Sequence, residues 1–367
     1  MISPSTKTSL LKYHRWIGLA LGVLILVQGL TGALMPFRDE LTRLIHPSAM
    51  IVAPSATTAP LQGIIDTARG LRDGARVTRI DYPTQPDEAY LVRIEGPQGA
   101  GMLLASFDPG TGKLLRAGSL AAWPIEFAFH LHYTLLSGDT GERIIGLSGL
   151  LIIVLAIIGF LVWWPGRRSL KAAMKVKFSA GGIRATRDLH RLGGAVLAIV
   201  LILTAFTGTL IAWKPWIEPV VTALAPTREV PVPNALITTC PEPRTVDDAV
   251  TAAQGVKNGE KLKSVRFPGK GGIVAVYFVS GTMDKPRATD HVWVDRCTAQ
   301  VLAKKEADTA LAGDLFFDWL LPIHAGEWLG MTGRIIAVIG ALALAGFGVT
   351  GYILWIARKT KTRKAVS

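Results

Sequence analysis

Seven histidines occur in the 367-residue chain, and five of them stand just ahead of long apolar stretches. His14 and His190 occupy matching strings, Tyr13-His14-Arg15-Trp16-Ile17-Gly18 and Leu189-His190-Arg191-Leu192-Gly193-Gly194. His132 lies eleven residues before Arg143 and His324 ten before Arg334, so these two also correspond after one indel. His130 precedes His132 by two residues and has no counterpart. One histidine near a lipid headgroup is an ordinary interfacial residue. Two related pairs at opposite membrane faces are more than that, because ionisable groups at membrane depth are functional by default. Imidazoles facing each other across a bundle suit haem iron, which takes two axial nitrogens. Zinc prefers four tetrahedral ligands, and no cysteine or convergent carboxylate accompanies either pair. Copper and a proton relay remain open on the residues alone.

Hydropathy supplies the elements that must hold these side chains. Trp16–Phe37 and Leu192–Trp213 are each 22 residues without a charge, Ile144–Trp164 is 21 and Ile335–Ala357 is 23. As helices, such stretches reach about 30–35 Å and cross a hydrocarbon core. Mean hydropathy is +0.36. The charged fraction is 18%, against about 25% in soluble proteins. A fully soluble enzyme, a disordered chain and a disulfide-dense miniprotein are excluded, and four membrane spans are expected.

The net charge of +13 is unevenly distributed. Met1–Arg15, Pro165–Arg191 and Ala357–Ser367 hold sixteen Lys/Arg and one acid, Asp188, which is +15; the other 24 basic and 26 acidic residues leave −2. The positive-inside rule puts those three stretches, with both termini, in the cytoplasm and both long loops outside. Contact with membrane lipid accounts for the basic excess, and no nucleic acid is implied. The first span exceeds a signal-peptide apolar region and lacks an A-x-A site, so it is expected to be an uncleaved anchor.

The chain also reads as a duplication. The His-Arg strings and the pairs Thr31-Gly32 and Thr207-Gly208 share an offset of 176, while Arg143-Ile144-Ile145 matches Arg334-Ile335-Ile336 at 191. Between the spans, Asp108-Pro-Gly-Thr-Gly-Lys-Leu-Leu115 matches Asp295-Arg-Cys-Thr-Ala-Gln-Val-Leu302 at 187. Each half crosses outward and returns, which makes the halves parallel repeats. Each outer segment reads as one helix over an antiparallel sheet. In the first, Gln62–Arg72 is helical and Ala75–Tyr82, Ala89–Glu95 and Met102–Phe107 alternate as strands. In the second the helix is Val246–Gln254, with strands Leu262–Phe267, Ile273–Val279 and His291–Asp295. Cys240 and Cys297 both fall in the second outer segment, where an oxidising compartment favours a structural disulfide.

Several further residues bear on the sites. Arg15 and Arg191 adjoin the inner histidines and could pair with haem propionates, though the positive-inside rule explains them equally well. Arg143 and Arg334 lie on the outer side, where that rule predicts no enrichment, and either propionate pairing or a cap or loop contact would account for them. Recurrent glycines such as Gly18, Gly22, Gly29 and Gly340 allow close helix approach. Tryptophans at the span ends form an aromatic belt. Trp123–Leu136 and Leu311–Leu329 are apolar, broken by Gly or Pro, and are expected to lie along the outer interface. No dinucleotide or phosphate-binding glycine loop is visible, so any electron donor is external.

With these motifs in hand, the chain resembles the PepSY-associated transmembrane family of bacterial iron-regulated inner-membrane proteins, which includes ferric-siderophore reductases. The likeness rests on His14-Arg15 and His190-Arg191 opening spans that end in Thr-Gly, on Leu131-His132-Tyr-Thr-Leu-Leu-Ser-Gly-Asp-Thr-Gly, on Ile323-His324-Ala-Gly-Glu, and on the two Asp-led hairpins; it covers roughly Leu10 to Arg358. Cys297 departs from the small turn residue usual in that hairpin. The resemblance implies two b-type haems, one between His14 and His190 and one between His132 and His324, with His130 as an alternative outer ligand. It implies an α-helical membrane protein with four transmembrane helices in two parallel repeats and two periplasmic α+β PepSY-like domains. In residue numbers, 10–38 and 189–214 are membrane helices; 121–165 and 311–358 join an interfacial segment to a membrane helix; 39–120 and 215–310 are periplasmic; 166–188 and 359–367 are a cytoplasmic loop and tail. The implied activity is reduction of a periplasmic ferric siderophore, with a quinol or a soluble reductase as donor, releasing Fe(II) for uptake. The rival readings are a membrane-anchored PepSY binding or regulatory module and a transporter for iron chelates or haem.

Overall fold

The computed structural model describes residues 3–97, 100–166, 169–228, 233–235, 240, 242–257, 259–269, 272–281 and 287–364. The principal helices, in chain order, are α1 (Pro4–Gly32), α2 (Leu61–Arg69), α3 (Pro124–Thr134), α4 (Gly138–Trp163), α5 (Gly182–Val196), α6 (Ala198–Ala212), α7 (Val246–Gly255), α8 (Ala312–His324) and α9 (Gly330–Lys364). The chain divides into two units, one of Met1–Phe37, Ala128–Val220 and Trp319–Ser367, the other of Arg38–Phe127 and Val221–Asp318.

The first unit is helical. Among the described residues, three stretches are long and apolar enough to cross a membrane: Pro4–Ile45, Gly138–Trp163 and Glu327–Thr360. At the start of α1, Ser3 caps the helix by accepting from the Thr6 amide at 3.1 Å, with Pro4 in the first turn. Both residues suit positions where backbone N–H groups lack intrahelical partners. Close approach of α1 and α9 depends on missing side chains. A Cβ on Gly29 would stand 2.5 Å from the Ala345 amide nitrogen, and one on Gly348 2.8 Å from the Gly22 carbonyl. The Tyr352 hydroxyl donates to the Leu19 carbonyl at 2.7 Å across the same contact.

The expected third span departs from a straight helix. Helices α5 and α6 meet at Leu197 with a bend of 63°, so the fourth crossing exists only as a bent pair. Gly193 and Gly194 lie in the turn before the break. Paired glycines carry the weakest helix propensity short of proline and leave that turn without side-chain bracing. Apolar composition is uniform across the break and gives no warning of it.

The second unit is a soluble-type α+β structure. Strands β1 (Arg76–Asp81), β2 (Tyr90–Glu95), β3 (Met102–Phe107) and β4 (Leu114–Ser119) form one antiparallel meander, and β5 (Leu262–Arg266), β6 (Ile273–Val279), β7 (Thr289–Asp295) and β8 (Val301–Lys305) form another. The sequence suggests two separate modules. Instead β1 pairs antiparallel with β5, giving a single eight-stranded sheet of order β4-β3-β2-β1-β5-β6-β7-β8. An unpaired first strand in each meander would leave a row of open backbone groups, and the pairing removes both edges.

Helices α2 and α7 cover one face of this sheet. Ile64, Ile65 and Ala68 with Val246, Ala249 and Ala253 pack onto Ile80, Val92, Phe107, Val265, Val276 and Phe278, all essentially inaccessible. Asp247 on α7 accepts from the Leu61 and Gln62 amides at 2.7 and 2.9 Å and so caps α2. Cys240 and Cys297 form a disulfide as expected, closing a segment of 57 residues. A loop of that size corresponds to about 4 kcal/mol in the chain-entropy account.

Candidate functional site: two histidine pairs in the helical unit

Four of the five boundary histidines come together as two pairs. His14, on the first turns of α1, faces His190 on α5 with ring centroids 6.3 Å apart and planes at 86°. His132 on α3 faces His324 on α8 at the same 6.3 Å, with planes at 43°. Thr31, at the far end of α1, bonds His132. From His14 to Thr31 the helix rises about 26 Å, so the pairs lie at opposite ends of the bundle.

A hydrogen bond fixes which ring nitrogen of His324 carries the proton. His324 Nδ1 lies 2.9 Å from the Thr204 carbonyl, which can only accept, so Nδ1 bears the hydrogen. Thr207 Oγ1 is 3.2 Å from the same nitrogen and donates its own proton to the Leu203 carbonyl at 2.8 Å. His132 repeats the pattern: Thr31 Oγ1 lies 3.1 Å from Nδ1 and donates to Val27 at 2.7 Å. His190 Nδ1 is 2.7 Å from Thr350 Oγ1, which donates to the Gly346 carbonyl at 2.7 Å. In His324 Nδ1–H is thus occupied and Nε2 is left as the basic nitrogen, the tautomer that a metal ligand uses, while His132 and His190 each have at Nδ1 a threonine hydroxyl able to accept the same bond.

Glycines give the rings their space. A Cβ on Gly32 would stand 2.9 Å from the His132 ring, one on Gly208 2.7 Å from the His324 ring, and one on Gly159 3.2 Å from the His14 ring. Each outer histidine therefore has a Thr-Gly pair beneath it, with Thr31 or Thr207 orienting the ring and Gly32 or Gly208 admitting it. The sequence exposes these pairs only as marks of duplication. Thr350 opens a further Thr-Gly dipeptide, Thr350-Gly351, and lies at the repeat offset of 191 from Gly159, so the partners of the inner pair occupy equivalent positions as well.

The other expected residues are placed as follows. His130 packs edge-on to Phe129 with centroids 5.3 Å apart, and it is His132 that faces His324. Arg15 stacks on Trp16 at 5.6 Å, and among the described residues its buried Nε has no hydrogen-bond partner. Arg191 is exposed. The Arg143 guanidinium lies over Trp216 at 5.5 Å, and its carbonyl accepts from Trp213 Nε1 at 3.3 Å. Arg334 donates through Nε to the Pro36 carbonyl at 2.7 Å and stacks on Phe37 at 4.1 Å, which is the loop contact. Among the described residues, no third His, Cys, Asp or Glu joins either pair in a metal-holding group.

Apolar helices of membrane-crossing length, two opposed imidazole pairs and a mixed α+β unit in one chain define a multi-pass membrane protein with paired histidine sites. The family model described as the PepSY-associated TM region matches residues 11–358. The chain belongs to that family. A search of curated proteins gave no match.

Proposed function

We propose that this protein is a di-haem membrane reductase for ferric siderophores. The observation that carries the reading is the equal 6.3 Å separation of the two histidine pairs. The 6.3 Å between ring centres would leave room for one metal ion between each pair at about 2 Å per metal–nitrogen bond. Two nitrogen donors alone under-coordinate a bare zinc ion, and a macrocycle would complete the set. Among the described residues the buried Arg15 Nε next to His14 lacks a hydrogen-bond partner, which fits the same group.

His14 and His190 would hold one b-type haem, and His132 and His324 the other. When bound, these groups supply one-electron redox chemistry at either end of the bundle. The chain's own residues would fix ligand orientation through Thr31, Thr207 and Thr350, exclude water through the apolar helices, and provide Arg15, Arg143 and Arg191 as cationic neighbours for propionates. The overall reaction is one-electron reduction of Fe(III) in a siderophore to Fe(II), with a quinol or a soluble reductase as the electron source. Hard oxygen chelators hold Fe(II) less tightly, so the metal is released. The cytoplasmic membrane, with the sheet unit in the periplasm, suits the basic +15 of the terminal and central stretches. The Cys240–Cys297 disulfide also suits that compartment.

The test is the visible spectrum of the detergent-purified full chain. A reducible Soret band at about two haems per chain is expected, with His14→Ala and His324→Ala each removing one. Colourless protein made with ample haem would overturn the reading. Should haem be present but ferric siderophores fail to reoxidise the reduced protein, the substrate assignment falls and the cofactor assignment stands.

A further inference from the structure

The sheet face turned away from α2 and α7 carries a charged strip across its centre. Arg93 on β2 stands opposite Arg79 on β1, and Arg79 stands opposite Arg266 on β5, so three arginines form one cross-strand row over the β1–β5 seam. Side chains so placed have Cβ atoms about 5 Å apart, and like charges in that relation are unfavourable. Apolar clusters lie to either side: Leu104, Met50 and Trp123 over one end of the face, Ile273, Ala275 and Trp293 over the other.

The row is only partly neutralised. Asp81 pairs with Arg79 and, at 3.4 Å, with Arg93. Glu126 is already gripped by Arg38 at 2.7 and 2.6 Å and reaches Arg93 at 3.4 Å. Among the described residues no carboxylate pairs with Arg266; its guanidinium lies over the Tyr277 ring at 4.0 Å and its Nε is 3.4 Å from Ser264 Oγ. Burial, then the charges of Arg287, Arg266 and Arg79, lower the Lys263 ammonium to about 8. The Arg79 side chain is 31% exposed and that of Arg93 14%, so the charges are partly desolvated yet reachable.

Clustered, half-buried guanidinium groups with too few acids are stabilised by an anion that offers several oxygens, because Arg–oxyanion bonds are bidentate and charge-assisted. Tyr277, flanked by Arg266 and by His291 at 4.0 Å each, braces the guanidinium at the end of the row. We propose that the Arg93–Arg79–Arg266 row, with Tyr277 beside it, binds a compact polyanionic metal chelate of the tris-catecholate kind. This gives the substrate class of the proposed reductase and rests on that reading for the ligand's identity as an iron chelate. An uncharged tris-hydroxamate chelate of similar size would desolvate the same arginines without compensating their charge.

The experiment uses redox-inert probes on the full chain in detergent, gallium(III) tris-catecholate and gallium(III) tris-hydroxamate, with binding read by titration calorimetry. The anionic complex is expected to bind and the neutral one to bind at least about tenfold more weakly. Arg266→Gln and Arg79→Gln should each weaken the anionic complex by about tenfold, with Arg266→Lys intermediate and the thermal melt of each variant confirming a folded chain. Equal binding of the two complexes, no binding of either, or variants that bind like the parent would overturn the proposal. So would displacement of the catecholate complex by phosphatidylglycerol at micellar concentration, since lipid phosphate would then be the occupant. The same samples report their Soret absorbance, so chelate binding without haem sinks the reductase and leaves this site standing.

Discussion

Thr31 Oγ1 and His132 Nδ1 lie 3.1 Å apart, joining the last full turn of α1 to a ring on a helix a hundred residues further along the chain. Because the hydroxyl proton is committed to Val27, the threonine is able to accept a bond from the imidazole Nδ1–H. Thr207 and His324 repeat the arrangement at 3.2 Å. Removing such a partner lowers ligand basicity and typically costs about 10–100-fold in metal affinity. Both Thr31→Val and Thr207→Val preserve shape; the first deletes the hydroxyl acceptor of His132, and the second leaves His324 with the Thr204 carbonyl alone at 2.9 Å, so the larger effect is expected of Thr31→Val. Each is expected to raise the midpoint potential of the outer haem and weaken its retention, leaving the His14/His190 signal in place. A redox titration followed in the Soret region checks this, and an unchanged outer potential in both variants would remove the orienting role.

Space makes a second demand on the same pairs. An alanine at position 208 would bring its Cβ to 2.7 Å from the His324 ring, and one at position 32 to 2.9 Å from His132. Such contacts displace either the ring or the helix, at a cost of about 1–3 kcal/mol. Gly208→Ala and Gly32→Ala should therefore lose outer haem and melt earlier, while Gly346→Ala, where a Cβ meets open space, should do neither. Haem content per chain and thermal melting read the two effects separately.

His132 and His130 differ by one observable. Both lie on α3, two residues and about 200° apart around the helix, and only His132 faces His324. His132→Ala is expected to abolish the outer haem signal and His130→Ala to retain it. Low-temperature spectra of the reduced protein would resolve the two proposed haems. Retention in His132→Ala with loss in His130→Ala would reverse the ligand assignment.

What the sequence discloses and what it hides divide along locality. Met102–Phe107 is a strand with the bounds its alternation indicates, and the helix expected at Gln62–Arg72 runs from Leu61 to Arg69. Alternation and helical periodicity are written in adjacent residues. The β1–β5 pairing joins Ile80 to Val265, and nothing local to either strand marks which other edge will cover it. Thr350 finds His190 across 160 residues for the same reason. The histidine pairs were legible because duplication places each member at an equivalent position of its repeat. The bend at Leu197 was not, since hydropathy measures composition and is blind to backbone direction. Arg334 shows the limit of reasoning from charge: it stands apart from the basic stretches in sequence, and the structure has it donate to the Pro36 carbonyl and stack on the Phe37 ring.

His291 makes the soluble unit sensitive to mild acid. Its ring lies 4.0 Å from that of Tyr277 and 5.7 Å from that of Trp293, with Nε2 2.9 Å from Thr289 Oγ1. Burial, then the positive charges of Arg266, Lys305 and Lys263, outweigh Asp290 and push the imidazole down to about 4. An unfolded chain takes up the proton near 6.5, whereas the folded chain resists it until about 4. Across that window the unfolded state binds more protons, so stability is complete above the unfolded value and declines as pH falls toward the folded one. At pH 5 the loss relative to pH 8 is about 2 kcal/mol. Thermal melts of the full chain at the two pH values should show the sheet unit melting several degrees lower at pH 5. His291→Gln, which cannot titrate, should remove most of that difference while melting near the parent at pH 5. If the variant keeps the parent's full pH dependence, the acid sensitivity lies elsewhere and the buried imidazole is not its source.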